Sequence, residues 1–352
     1  MPFQVTTQPF FGVNDTAALP DSRDPLPEYV LINTNTGESA SIIPGFGGIL
    51  RKLVLHHKGA EQLADGKTSG LFSVVEAPES PQALIAGETY ASAILYPFAS
   101  RIQHGVYAFE GVQYALPMNE SQRNNAIHGL VYDQPFTVID EEANDQEARL
   151  TLRYTHTGDF NGYPFPFELT ITYTLAADGL TLTYSALNNG SAPSPSSFGW
   201  HPYFTLKPFP PATETGATES DTILDDMTLA LPVQSVIVLD NDMMPTGTRN
   251  PLATNTFTLK KWQVDAPFIV NAVDAGCVET HLHAPKNGVT LVVSQETGPG
   301  KLNYLIVFTP AKRDSIAIEP QTANVNAFNN SEGLSVVEPG DALDGWIRVA
   351  LR

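Results

Sequence analysis

The chain has 352 residues, 42% hydrophobic and 9% aromatic, which supplies ample apolar material for a core and argues against global disorder. Lys and Arg number 19 against 38 Asp and Glu; the net charge of -19 repels phosphate backbones and anionic lipid surfaces, so nucleic acid and membranes are poor partners while a neutral small molecule meets no such opposition. No stretch approaches the ~18 continuous apolar residues that would span a bilayer, and Met1 to Pro20 lacks a basic start followed by an apolar run, so the expected location is the cytoplasm.

In chain order, residues 1–28 read as an irregular N-terminal extension, with Thr16 to Pro27 rich in Pro, Thr, Ala and acidic residues. Val106 to Leu116 alternates in the manner of two strands with Glu110-Gly111 as the turn, and Arg149 to Thr155 alternates likewise. The clearest pattern follows: Phe167, Leu169, Ile171, Tyr173 and Leu175 alternate with Glu168, Thr170, Thr172 and Thr174. Then Ala176-Ala177-Asp178-Gly179 offers a turn, and Leu180, Leu182 and Tyr184 continue the alternation, so a hairpin is predicted. Lys207 to Asp221 reads as a long surface loop, and Val289 to Gln295 as a further strand. Helical periodicity is missing, and 26 Gly and 28 Pro are spread along the chain, as many short strands with many turns require. The predicted class is all-β, a large β-sandwich forming one domain over 1–352.

Glycine-rich phosphate loops, His-Glu-x-x-His and paired Cys-x-x-Cys are all absent from the sequence. His281 and His283 fall on one face of a strand, but no third ligand is evident, and exposed strand residues are the simpler reading. Asp240, Asp242 and Gly247 resemble a calcium loop only faintly and read as a solvated turn. Cys277, the sole cysteine, cannot form an intrachain disulfide and reads as a small core residue. No metal or organic cofactor is expected, and the oligomeric state is left open.

Three segments set polar groups among aromatics and prolines. Tyr96-Pro97-Phe98-Ala99-Ser100-Arg101-Ile102 with Gly105, followed by Asn124-Asn125-Ala126-Ile127-His128-Gly129, places a guanidinium in an apolar run where it needs a partner, either a structural ion pair or a ligand. Ser197-Phe198-Gly199-Trp200-His201-Pro202-Tyr203-Phe204 packs an imidazole between aromatics, which a satisfied core histidine would also explain. Ser315-Ile316-Ala317-Ile318-Glu319-Pro320-Gln321-Thr322 ends an apolar strand in a carboxylate, a residue type seldom buried alone and suited by desolvation to proton transfer.

Together and in this order, from about Ile42 to the C-terminus, the segments resemble the aldose 1-epimerase family, the galactose mutarotases. The resemblance implies a general base at Glu319 and a general acid at His201. It also implies sugar-binding roles for Arg101 and His128 and, by position in Val264-Asp265-Ala266-Pro267-Phe268, for Asp265. The partner it implies is a free aldose, whose anomers would be interconverted. Gly162-Tyr163-Pro164 and Pro245-Thr246-Gly247 match lesser family tripeptides and read as turns. Ser100, Leu130 and Pro202 depart from the usual family residues, so the particular sugar is not implied. The alternatives are a hexose-phosphate epimerase on the same scaffold, a silent carbohydrate-binding module and, last, a glycoside hydrolase, which would ordinarily want two carboxylates.

Overall fold

The computed structural model describes residues 1–10, 26–59, 70–86, 89–209, 223–271 and 276–352. The strong alternation near the middle of the chain folds as the predicted hairpin, Phe167–Ala176 paired with Gly179–Asn188. Phe167, Leu169, Ile171, Tyr173 and Leu175 are buried, and the intervening Glu and Thr are half-buried on the opposite face. The turn demands glycine at its last position, because Gly179 adopts φ +116 and a Cβ there would lie 2.2 Å from the Val349 carbonyl.

Among the described residues the chain forms two large antiparallel sheets, of thirteen and nine strands. The smaller runs Thr137–Ala143, Glu147–His156, Phe167–Ala176, Gly179–Asn188, Ala342–Leu351, Val289–Thr297, Gly276–Ala284, Thr228–Ala230 and Thr256–Thr258. The larger passes from Phe3–Pro9 through Leu71–Glu76, Tyr203–Phe209, Ile316–Gln321, Tyr304–Phe308 and Asp265–Val270 to Pro245–Pro251, with Gly199–His201 and Ala93–Leu95 joined beside it. Leu31, Leu53, Val74, Phe204 and Ile318 of this sheet meet Leu150, Ile171, Leu182, Leu291 and Val349 of the other in one hydrophobic cluster. The architecture is therefore an all-β sandwich. The described helices, Pro81–Ala86 and Ala327–Asn330, are short, and none is long and apolar enough to cross a membrane.

Three expectations need correction. The first residues are not an irregular extension: Phe3–Pro9 is a strand paired with Pro27–Asn33 from Phe3 opposite Asn33 to Pro9 opposite Pro27, and Phe3 reaches the core. Burying that ring and completing a ladder outweigh the weak local pattern. Pro245-Thr246-Gly247 is not a turn but the start of the strand Pro245–Pro251. Cys277 is exposed, because Val278, Thr280, Leu282 and Ala284 take the inward positions of the strand Gly276–Ala284. In the segment expected as a loop, Lys207 to Phe209 still belong to a strand, and 210–221 lies outside the described residues, as does 16–25.

Candidate active site

Strand parity assembles the site on the face of the larger sheet turned away from the core cluster. Ile316 and Ile318 point into the cluster, so Glu319 and Gln321 stand on the other face, where the Gln321 amide donates to Glu319 Oε2 at 3.2 Å. The same alternation sends Trp200 and Phe204 inward and leaves His201 and Tyr203 outward; Leu305 and Val307 point inward, Ile306 and Phe308 outward. Asp265 opens the neighbouring strand, with Phe268 and Val270 in the core. Register sets the rest: Ile306 lies opposite Glu319, and Asp265 opposite Phe308.

Arg101 and His128 come from a small ladder above this face, Arg101–Ile102 paired with Ala126–Ile127. The chain turns sharply after it. His128 has φ +67, and Gly129 has φ +80 with the Tyr96 carbonyl 2.3 Å from where its Cβ would be, so the glycine of Ile127-His128-Gly129 is a steric necessity. The His128 amide donates to the Ser100 carbonyl at 2.9 Å, which locks the two segments together.

All five residues singled out in the sequence, Arg101, His128, His201, Asp265 and Glu319, line one cavity of about 440 Å³. On its floor His201 Nε2 lies 3.3 Å from Glu319 Oε1, and both side chains are buried. The His128 ring stands edge-on to His201 with centroids 5.1 Å apart. Burial pushes the Glu319 carboxyl well above the usual carboxylate range, helped by the charge of Asp265 and opposed by Arg101. Burial also lowers His201 to about 4, and it holds His128 well below the ordinary histidine value, with the positive charges of His201 and Arg101 adding to the effect. Asp265 is solvent-accessible, yet the protein crowded around it raises its carboxyl against the pull of Arg101 and Arg123.

Wall and floor differ. Arg101 Nε donates to both oxygens of Glu120 at 3.0 Å and Nη2 to Oε1 at 2.9 Å, so one edge of the guanidinium fork is fully engaged. Arg123 Nη1 at 3.1 Å and Asn125 Nδ2 at 3.0 Å donate to the same carboxylate. Partial burial pulls Glu120 upward, but the hydrogen bonds from Arg101 and Asn125 prevail and hold it below the usual value.

A family model, aldose 1-epimerase, matches residues 32–350. The chain belongs to the aldose 1-epimerase family. That membership places it among the isomerases of the mutarotase kind. An uncharacterized protein of Escherichia coli strain K12, YihR, is 26% identical over 255 residues, covering 70% of this chain and 74% of its own. Human galactose mutarotase is 25% identical over 176 residues, 49% of this chain and 46% of that enzyme, so the match spans less than half of that mutarotase. A galactose mutarotase-like protein from Clostridium acetobutylicum shares the fold at a TM-score of 0.78 and 17% identity, over 100% of this chain and 99% of that one. Galactose 1-epimerase from Lactobacillus acidophilus NCFM shares it at a TM-score of 0.73 and 16% identity, over 99% of each.

Within this member of the aldose 1-epimerase family, sequence reasoning missed Glu120 and Arg123, and it noted Asn125 only as part of a segment, with no role. Their spacing around the Ile127-His128-Gly129 motif was the available signal, but the cluster, in which Arg101, Arg123 and Asn125 all donate to Glu120, forms only when the two short strands pair. Among the described residues no group of three or more His, Cys, Asp or Glu is arranged to hold a metal ion. His281 bonds Glu279 at 3.0 Å and His283 bonds Thr290 at 2.9 Å, and Asp240 Oδ1 accepts the amides of Asp242 and Met244 at 2.9 Å, a local turn. A second cavity of about 440 Å³, against Trp346, Arg348 and Cys277, contains none of the five residues.

Proposed function

We propose that this member of the family interconverts the α and β anomers of a free aldose, with Glu319 as the base and His201 as the acid. The observation that carries the reading is the buried contact of 3.3 Å between Glu319 Oε1 and His201 Nε2 on the floor of a sugar-sized cavity. Ring opening needs one proton removed from the anomeric hydroxyl and one delivered to the ring oxygen. Glu319 as carboxylate takes the first; the electron pair left on the anomeric oxygen forms the carbonyl as the C1–O5 bond breaks; imidazolium at His201 protonates O5. Rotation about C1–C2 presents the other face of the aldehyde, and the two transfers reverse to close the opposite anomer. Each group is expected to contribute about 10²–10⁴-fold.

The proton count supports this assignment. Carboxylate plus imidazolium, the form from which ring opening starts, and carboxylic acid plus neutral imidazole, the form in which it ends, hold the same number of protons, and burial favours the second. Burial disfavours charge on each group separately, raising Glu319 and lowering His201, so the pair keeps one mobile proton over a wide pH range. The steps balance with side chains alone. Arg101, His128 and Asp265 surround the same cavity and would hold hydroxyls while C1 changes geometry.

A second reading, a sugar phosphate as substrate, draws on Arg123 at the cavity rim. Its guanidinium shares Glu120 with Arg101, so a phosphate would have to displace that pairing. Polarimetry of freshly dissolved glucose, galactose, arabinose and xylose should show at least one aldose equilibrating faster with the protein than without it, and inorganic phosphate should not inhibit. No acceleration of any free aldose refutes the main reading; acceleration confined to sugar phosphates, blocked by inorganic phosphate, favours the second.

A further inference from the structure

Gln321 is fully buried two residues beyond Glu319 on the same face of the strand. Its side chain makes one hydrogen bond among the described residues, from Nε2 to Glu319 Oε2 at 3.2 Å. Its Oε1 is buried as well and accepts nothing among the described residues. An amide kept for stability has both ends paired, because an unpaired buried oxygen is costly and an apolar side chain of the same length would fill the space without that loss. The Gln321 amide therefore serves the carboxylate more than the core.

The chain builds a slot for it. In register, Gln321 lies between Tyr304 on one side and Gly199 on the other. A side chain at Gly199 would bring its Cβ to 3.1 Å from Gln321 Cγ and 3.0 Å from Ala99 Cβ, tighter than ordinary packing. The end of the strand is clamped next door, where the Thr322 amide donates to the Phe198 carbonyl and the Phe198 amide to Thr322 Oγ1, both at 2.9 Å. The amide thus approaches from a fixed direction and engages the oxygen that His201 does not, since it is Oε1 that lies 3.3 Å from His201 Nε2.

We infer that Gln321 is a positioning residue for the proposed anomer exchange: its amide pins Glu319 Oε2, so that Oε1 alone is presented to His201 and the anomeric hydroxyl, and it shares the charge of the carboxylate. The inference rests on the mutarotation reading for its effect on turnover, but the bond acts on Glu319 whatever the reaction.

Burial favours acid plus neutral imidazole over carboxylate plus imidazolium, so the reactive arrangement of the shared proton is the minor one. A donor on Oε2 stabilises charge on Glu319 against burial and enlarges that minority. The same donor eases loss of the pair's last proton, which leaves Glu319 ionised beside neutral imidazole. It has no hold on the first proton to leave, which comes from His201. The charged and titratable groups around the carboxylate are His201, His128, Arg101, Tyr203 and Asp265, with Glu120 and Arg123 farther up the wall. The strand Tyr304–Phe308 sets Ile306 opposite Glu319 and Tyr304 opposite Gln321. Asp265 raises Glu319 and Arg101 lowers it, and both remain when Gln321 is replaced.

Gln321→Met keeps the length and removes the donor. On the plateau of the pH profile, kcat/KM for anomer exchange should fall roughly three- to tenfold with KM within about twofold, and the alkaline limb should move up by about one pH unit while the acid limb stays. The melting temperature should equal or exceed the parent's, and Gln321→Leu should behave likewise. A structural role would lower both melting temperatures and leave the limb in place, and that result overturns the inference. Carbon NMR titration of the glutamate carboxyls, assigned with Glu319→Gln, reads the bond without turnover: Glu319 should titrate about one pH unit higher in Gln321→Met. An unmoved Glu319, or a pair of Gln321 variants that do not fold, likewise overturns it. A moved Glu319 supports it even if polarimetry finds no anomer exchange by the parent, in which case it is the mutarotase assignment that fails.

Discussion

Glu319 and Glu120 are the same side chain facing one cavity, and the protein treats them oppositely. Glu120 receives hydrogen bonds from Arg101, Arg123 and Asn125, which hold it below the ordinary carboxylate range despite partial burial. Glu319 lies deeper, with His201 and the Gln321 amide as its polar neighbours, and burial drives it well above that range. A carboxylate whose charge is fixed by several donors is a poor proton acceptor and a good strut. One buried with little compensation holds its proton more tightly and is the stronger base once ionised. The comparison assigns proton transfer to the floor and positioning to the wall, and each assignment can be broken separately.

The largest effect is expected at the floor. Glu319→Gln preserves shape but cannot accept a proton, so kcat for anomer exchange should fall by about 10²–10⁴-fold with KM nearly unchanged. His201→Asn should do the same, and the double variant should lose far less than the product of the two, because the groups act on one proton relay. Polarimetric kcat and KM for the three variants decide the matter; a Gln variant with near-normal turnover removes Glu319 from the chemistry.

At the wall the loss should be smaller and should appear in KM. Arg101→Ala removes a fork of donors and leaves Glu120 short of its main partner, so sugar affinity should drop by about tenfold or more. Glu120→Gln is the sharper test. It keeps Arg101 but discards the charge that orients the guanidinium, and KM should rise by roughly three- to tenfold while the pH dependence of kcat stays as in the parent. A Glu120→Gln variant whose kcat collapses with its KM intact would mean that Glu120, too, belongs to the chemistry.

The sequence revealed one half of this comparison more clearly than the other. Glu319 and His201 sit in contiguous motifs where strand parity and flanking aromatics already imply burial, and the order of those motifs along the chain pointed to the family. Glu120 lies in an unremarkable turn, and its role depends on the pairing of Arg101–Ile102 with Ala126–Ile127, a contact that no local pattern encodes. The misplacement of Cys277 was avoidable, since Val278, Leu282 and Ala284 already set the parity that turns it outward. The N-terminal strand was not recoverable in the same way: Phe3 and Val5 alternate too briefly to stand out, and Phe3–Pro9 is ordered by its ladder with Pro27–Asn33.

The smallest effect separates the two glutamates by stability. Below the ordinary carboxylate range, Glu319 is protonated in both the folded and unfolded chain and costs nothing. As pH rises past that range the unfolded chain releases the proton while the folded chain, whose value is raised by burial, retains it, so the stability of the parent falls until the raised value is reached. Whichever member of the floor pair holds the proton, the count is the same. His201 has the opposite sign: lowered by burial to about 4, it costs stability as pH falls from the ordinary histidine value toward 4 and costs nothing above it. Glu319→Gln deletes only the first contribution. Its melting temperature should therefore match the parent near pH 4 and exceed it progressively as pH rises past the ordinary carboxylate range, by roughly 2 °C for each pH unit until the raised value of Glu319 is reached. Glu120→Gln should show the reverse, melting below the parent at pH 8 and converging with it in acid, because a carboxylate held low contributes stability that is present above its unfolded value and lost as pH falls. Thermal unfolding of the parent and both variants at pH 4, 6 and 8 tests the contrast, and parallel curves for the two variants would erase the distinction between floor and wall.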